Sequence, residues 1–178
     1  IRPLDLYWIW YARAMAWRTA ATLLRSVPLL LFAALFLPLI GAHDLALSLP
    51  PHLGAFAYWM MSMLFALLLS CAITTLIHIT MMWTVSGQGA GTIIPVAVTI
   101  FSGMIIPLPL FPDWMQLFLR LLPFHALFDT PARIFSGNIT GIETIAVLFQ
   151  QLGWTIAALL LGRLVIKQGL RRLVVQGG

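Results

Sequence analysis

Of 178 residues, 61% are hydrophobic and 8% charged, and the mean hydropathy is +1.00. A soluble domain carries roughly 25% charged residues, so this chain has too little polar surface to cover a core in water. The formal charge of +5 does not point to nucleic acid either, because the basic residues are spread along apolar stretches and form no cluster with stacking aromatics on a soluble face.

The expected class is an all-α integral membrane protein with a single transmembrane domain over residues 1–178. The chain opens at Ile1 with no basic, apolar and cleavage-site pattern. No signal peptide is expected, and the sequence is expected to be part of a longer polypeptide. Residues 1–18, IRPLDLYWIWYARAMAWR, predict an interfacial helix. Pro3 suits a first turn and Asp5 complements the helix dipole. Tyr7, Trp8, Trp10, Tyr11 and Trp17 suit the headgroup boundary, and Arg13 and Arg18 can snorkel outward. About 20 apolar residues cross a bilayer, and four stretches qualify: 19–41, 55–83, 91–106 and 142–166. A polar-tinged loop, His43 to Gly54, separates the first two. Ser86-Gly87-Gln88-Gly89-Ala90-Gly91 is expected to be a tight turn before the third, its glycines permitting close helix approach. Cys71, the only cysteine, lies in the second apolar run; it excludes an internal disulfide and reads as a small packing residue.

Residues 107–136 are the most informative part. Pro107, Pro109, Pro112, Pro123 and Pro131 break the stretch into short helices, since each proline lacks an N–H and crowds the preceding turn. The pieces remain apolar, with Trp114, Leu117, Phe118, Leu119, Leu121 and Leu122. The pattern predicts an extracytoplasmic, re-entrant helical hairpin. Charge sets the orientation. With both ends cytoplasmic, Arg2, Arg13, Arg18, Arg25, Arg163, Lys167, Arg171 and Arg172 lie inside against Asp5. Arg120 and Arg133 lie outside against Asp44, Asp113, Asp129 and Glu143. That arrangement obeys the positive-inside rule and its inverse violates it.

Few residues invite chemistry. The glycine-rich turn lacks the GK[ST] ending of a phosphate loop. His43, His52, His78 and His125 show no metal-ligand spacing, and no metal site is expected. His78, with Thr74, Thr75 and Thr80 nearby, reads as a hydrogen-bonded packing residue, the alternative being a polar residue on a wet path. Asp113, Asp129 and Glu143 read as rim or helix-terminal charges, and Asp129-Thr130-Pro131 as a helix start. No Ser/His/Asp set can be placed.

The layout of an aromatic, basic helix, a span, two spans joined by a tight turn, then SGMIIPLPLFPDWMQLFLRLLPF and a last span with a basic tail, resembles the permease subunits of type 2 ATP-binding-cassette (ABC-2) exporters. Ser102 to Pro123 carries the specific part. Members usually have six spans, so the resemblance implies that the chain is a C-terminal four-span portion. It implies a bacterial cytoplasmic (inner) membrane, pairing with a second permease copy or paralogue, and a substrate path between the two. It also implies a separate cytoplasmic ATPase subunit that binds ATP and Mg; no cofactor is expected on this chain, which would not itself be an enzyme. Asp5, Tyr11, Arg13 and Arg18 would belong to the coupling helix that meets the ATPase. Pro107, Pro109, Phe111, Pro112, Trp114, Phe118 and Pro123 would form the outer gate, with His78 a polar residue on the path. Two other classes fit the residues alone: a lipid-modifying membrane enzyme using Asp113, Asp129 or His125, and a structural or assembly protein whose hairpin binds a partner.

Overall fold

The computed structural model describes residues 5–42, 53–81 and 88–172, with side chains given for all but 88–90 and 170–172. Residues 1–4, the loop carrying His43, Asp44 and His52, the end of the second apolar stretch at Trp83, and Ser86 and Gly87 lie outside the described residues. The described chain is all helical. Helix α1 spans Leu6–Leu31 and runs on through one π turn, Phe32–Phe36, and a last α turn, Leu37–Leu39. Helix α2 is Leu53–Met81, α3 Gln88–Phe101, α4 Asp113–Leu121, α5 Asp129–Phe135 and α6 Ile142–Arg172. Single 3-10 turns, Leu108–Leu110 and His125–Leu127, link α3 to α4 and α4 to α5.

Three helices among the described residues are long and apolar enough to cross a membrane: Leu6–Leu39, Leu53–Met81 and Ile142–Gly169. The third expected stretch, 91–106, leaves the helix earlier than predicted. Residues 88–91, expected in the turn, are already helical, and the helix stops at Phe101. The stop has a local cause. Gly103 takes φ +84°, a left-handed conformation, and a Cβ there would meet Leu108 Cδ1 at 2.8 Å. The backbone therefore leaves the helix before Pro107, and an apolar run cannot reveal that.

α2 and α6 form the spine. Ser62 is the tenth residue of α2 and Gln151 the tenth of α6, and they hydrogen-bond to one another. Further along, Leu69, Ala72 and Ile79 share a core cluster with Ala158 and Ile166, so the two helices run side by side in one direction. Small buried residues on α2 (Ser62, Ala66, Cys71, Ala72) let neighbouring backbones approach closely. The hydroxyls of Thr74 and Thr75 donate back to the carbonyls of Ser70 and Cys71, both at 2.8 Å. α2 thus carries polar side chains without orphaned groups, as an apolar medium requires.

α1 has no break at 18/19; the predicted interfacial segment and first span are one helix. Its two parts nevertheless differ. Asp5 caps the start, accepting from the Tyr7 N–H at 3.0 Å, and Tyr7 and Tyr11 are its buried residues. Trp10 and Tyr11 are neighbours, yet Trp10 stacks on His78 with ring centroids 6.3 Å apart while the Tyr11 hydroxyl donates to the Leu68 carbonyl at 3.1 Å. Those two positions on α2 are ten residues, about 15 Å, apart. A helix lying along α2 would not reach both, so α1 crosses it steeply here. Beyond residue 22, α1 packs on little: Leu24 is 77% exposed and Leu39 81%.

Candidate functional site

Two places gather polar groups. The first is the seat of the hairpin. Gln151, 1% exposed, accepts from the Ser62 hydroxyl at 3.0 Å, and its Nε2 donates to the Ala126 carbonyl at 2.7 Å. Next to it, Gln150 Nε2 donates to the Arg120 carbonyl at 2.8 Å. Two adjacent glutamines on α6 therefore hold both the end of α4 and the 3-10 turn. The turn lies level with the tenth residues of α2 and α6, and Phe135 leads the chain back past Trp59, ring centroids 5.1 Å apart. The Asp129 N–H donates to the Ser102 carbonyl at 3.2 Å, tying the end of α3 to the start of α5.

Each predicted hairpin residue has a definite place. Pro107 and Pro112 precede the first 3-10 turn and α4, Pro109 lies within that turn, and Pro123 separates α4 from the second turn. Gln116 Nε2 braces this corner, donating to the Phe111 carbonyl at 2.7 Å. Trp114 and Phe118 are exposed on α4, while Leu119 on its other face is buried. His125 and Asp129 are buried. Burial holds the His125 imidazole below its usual pKa, against the pull of the Leu122 carbonyl 2.7 Å from Nδ1 and of the Asp129 charge. Burial likewise raises the Asp129 carboxyl, against Arg133 at 3.8 Å. Asp113 lies exposed in the first turn of α4, where a carboxylate suits the helix dipole.

The second place is a pair of communicating clefts where α1 crosses α2. One, of about 1020 Å³, is lined by Trp10, Arg13, Trp17, Arg18, Arg25 and His78 among others. The other, of about 510 Å³, lies between α2 and α3 and is mainly apolar, with Met63, Ile73, Ile77 and Val98 in its walls. Arg18, Thr22, Thr74 and His78 belong to both. The Arg18 guanidinium donates to the Thr74 hydroxyl, and His78 Nδ1 sits 2.8 Å from the Thr74 carbonyl. Of the four predicted coupling residues, three are thus engaged within the chain. Asp5 pairs with Arg163 at 3.5 Å, Tyr11 bonds α2, and Arg18 faces the cleft; Arg13 lines the larger cleft from an exposed position. No group of three or more metal-ligating side chains occurs among the described residues.

Comparison with family models decides the affiliation. A model described as ABC-2 family transporter protein matches residues 1–177. The chain belongs to the ABC-2 transporter family. Comparisons with curated proteins and with solved structures give no match. As an ABC-2 family protein the chain is a multi-pass membrane protein of transporter type. Sequence reasoning missed Ser62, Gln150 and Gln151. The available signal was a pair of adjacent amides in an apolar span, which lipid does not tolerate without partners.

Proposed function

We propose that this chain is the membrane-spanning permease subunit of an ATP-driven ABC-2 exporter. It works as a pair with a second permease and is driven by a separate cytoplasmic ATP-binding-cassette subunit that holds ATP and Mg. The observation that carries the reading is the seat of the hairpin. A family match fixes the class, and the Gln151 contacts put the Ala126 turn ten residues along both long helices, about 15 Å from their starts. That depth fits a hairpin that dips into the outer half of the bilayer and returns. α3 and the turning stretch after it then together make the third crossing, which keeps both ends of the chain on the cytoplasmic side and agrees with the distribution of Arg and Lys.

The parts divide the work. The first turns of α1 form the coupling surface. Asp5, Tyr7 and Tyr11 fasten them to α2 and α6, so a push from the ATPase reaches the spine without loss, and Arg13 stands free to meet that partner. The hairpin is the outer gate: Pro107, Pro109, Pro112 and Pro123 set its bends, and Phe111, Trp114 and Phe118 provide the apolar surface that closes the path against the second permease.

The test is reconstitution of the chain with an ATP-binding-cassette subunit in vesicles loaded with calcein. The ATPase is expected to co-purify with the chain and to change its ATP turnover on assembly. Replacing Phe111, Trp114 and Phe118 together with Ala should leave the complex assembled but raise calcein leakage severalfold, because large packing surfaces are removed. A chain that neither retains nor affects any such ATPase would overturn the transporter reading. Tight vesicles from the triple variant would move the gate elsewhere.

A further inference from the structure

The arginines of the larger cleft are unexplained by gating or packing. Among the described residues the ion pairs are Arg133 with Asp129 and Arg163 with Asp5; neither Arg13, Arg18 nor Arg25 has an acidic partner there. Among the described residues, no carboxylate appears in the lining of either cleft. Arg18 and Arg25 are seven residues apart, two turns up the same face of α1, so their long side chains can converge on one group between them. Arg25 sits in the apolar stretch predicted to span, where an uncompensated cation is costly and ordinarily marks a bound counter-charge or path. Trp10 and Trp17 flank the cleft, aromatic rings that favour the headgroup level. The adjoining apolar cleft begins at the same four residues, Arg18, Thr22, Thr74 and His78. A basic chamber thus opens directly onto a greasy slot between α2 and α3.

We propose that the two clefts form one head-and-tail site for a phosphate-bearing lipid. Its phosphate lies between Arg18 and Arg25, with Thr74 and His78 around it, and an acyl chain lies along Ile73, Ile77 and Val98. Arginine suits the head because its planar fork takes phosphate oxygens in pairs. Thr74 holds the Arg18 guanidinium in place for it. The site does not depend on the exporter reading, since a lipid bound here is equally at home in any membrane protein.

The full chain in neutral detergent is titrated with dioleoyl phosphatidic acid, with dioleoyl phosphatidylcholine and with inorganic phosphate, and bound ligand is counted by native mass spectrometry. Phosphatidic acid is expected to bind at least about tenfold more tightly than phosphatidylcholine, the order expected from charge-assisted pairing of an accessible phosphate. Arg18→Gln with Arg25→Gln should abolish that preference, and Arg18→Lys with Arg25→Lys should keep part of it, since lysine binds phosphate as a point charge. Arg120→Gln with Arg133→Gln, an equal loss of charge on the hairpin, should change nothing. If the paired Gln variant does not fold, Arg25→Gln alone, on the exposed side of α1, should still weaken phosphatidic acid about threefold. Equal binding of the two lipids overturns the proposal, as does wild-type preference in a folded Gln variant or equal loss from the hairpin control. Inorganic phosphate displacing the lipid at equal concentration would assign the chamber to a soluble anion and overturn the tail slot.

Discussion

The hairpin seat at Ser62 and the basic cleft at Thr74 and His78 stand apart along α2, and they treat polar groups in opposite ways. At the seat, Ser62, Gln151 and the Ala126 carbonyl satisfy one another out of reach of water. At the cleft, Arg18 is held by a single threonine hydroxyl, and Arg13 and Arg25 have no acidic partner among the described residues. A closed set of hydrogen bonds fixes a position, whereas an open set of cations leaves room for something to arrive. One end of the spine is thus built for permanence and the other for exchange.

The boldest way to break the comparison is to find both ends on one side of the membrane. In a Cys71→Ala background, cysteines at Asp113 and Gly137 should react fully with an impermeant thiol reagent from outside, and cysteines at Gln88 and Gln168 only after permeabilisation. Labelling of Gln88→Cys from outside would reverse the orientation that the positive-inside rule gives. Next in size is Gln151→Leu. It strands the Ser62 hydroxyl and the Ala126 carbonyl, each worth about 1–3 kcal/mol when buried and unpaired. Measured values between membrane helices average nearer 0.6, so a loss of about 1–3 kcal/mol in a steric-trapping measurement is expected. Amide exchange should rise across residues 119–135 while lipid binding at the cleft holds.

Gly162→Ala probes the fastening of α1. A Cβ there would come within 2.6 Å of Tyr7 Cε2 and 2.9 Å of its hydroxyl. The Tyr7 ring is fully buried and has little room to retreat, so a cost of about 1–3 kcal/mol is expected, with α1 loosened and the hairpin unchanged. A loosened hairpin would mean the two ends are not independent.

The smallest effect is one of pH. Burial depresses the His125 pKa from its usual 6.5, so the folded hairpin favours neutral imidazole. That stability is complete above the unfolded value and is lost as pH falls through the folded one. Asp129, raised by burial, acts in the other sense, its protonation favouring the fold as pH drops. In an Asp129→Asn background, acidification below 6.5 should therefore lower the amide protection factors of residues 119–135, taken relative to the intrinsic exchange rate at each pH, and a further His125→Gln change should remove the effect.

Much of this was legible in the sequence and some was not, for separable reasons. Apolar length gave α1, α2 and α6, because a bilayer rewards uninterrupted greasy helix whatever lies beside it. The prolines of 107–131 gave the break into short helices, because a missing N–H acts locally. The end of α3 was hidden: it depends on the left-handed turn at Gly103 fitting under Leu108 and Asp129, a tertiary fact. The aim of Arg18 was hidden too, since a snorkelling arginine and one turned toward Thr74 read alike. Ser62 and Gln151 are 89 positions apart, and only the folded spine reveals that they meet.

The bareness of α1 beyond residue 22 has a consequence for the bilayer itself. The 34-residue helix is about 51 Å long at 1.5 Å per residue, against a hydrocarbon layer of about 30 Å. With its base fastened through Tyr7 and Tyr11 and its upper part gripped by little else in this chain, hydrophobic mismatch acts on it almost as on a lone helix. A thinner membrane tilts the arm, and the tilt moves Arg25 relative to Thr74 and His78. Chain length of the surrounding lipid thereby becomes a control on the cleft. It is readable as a change in Trp10 and Trp17 fluorescence between thin and thick vesicles, and signals that do not change with thickness would show the arm is braced by a partner.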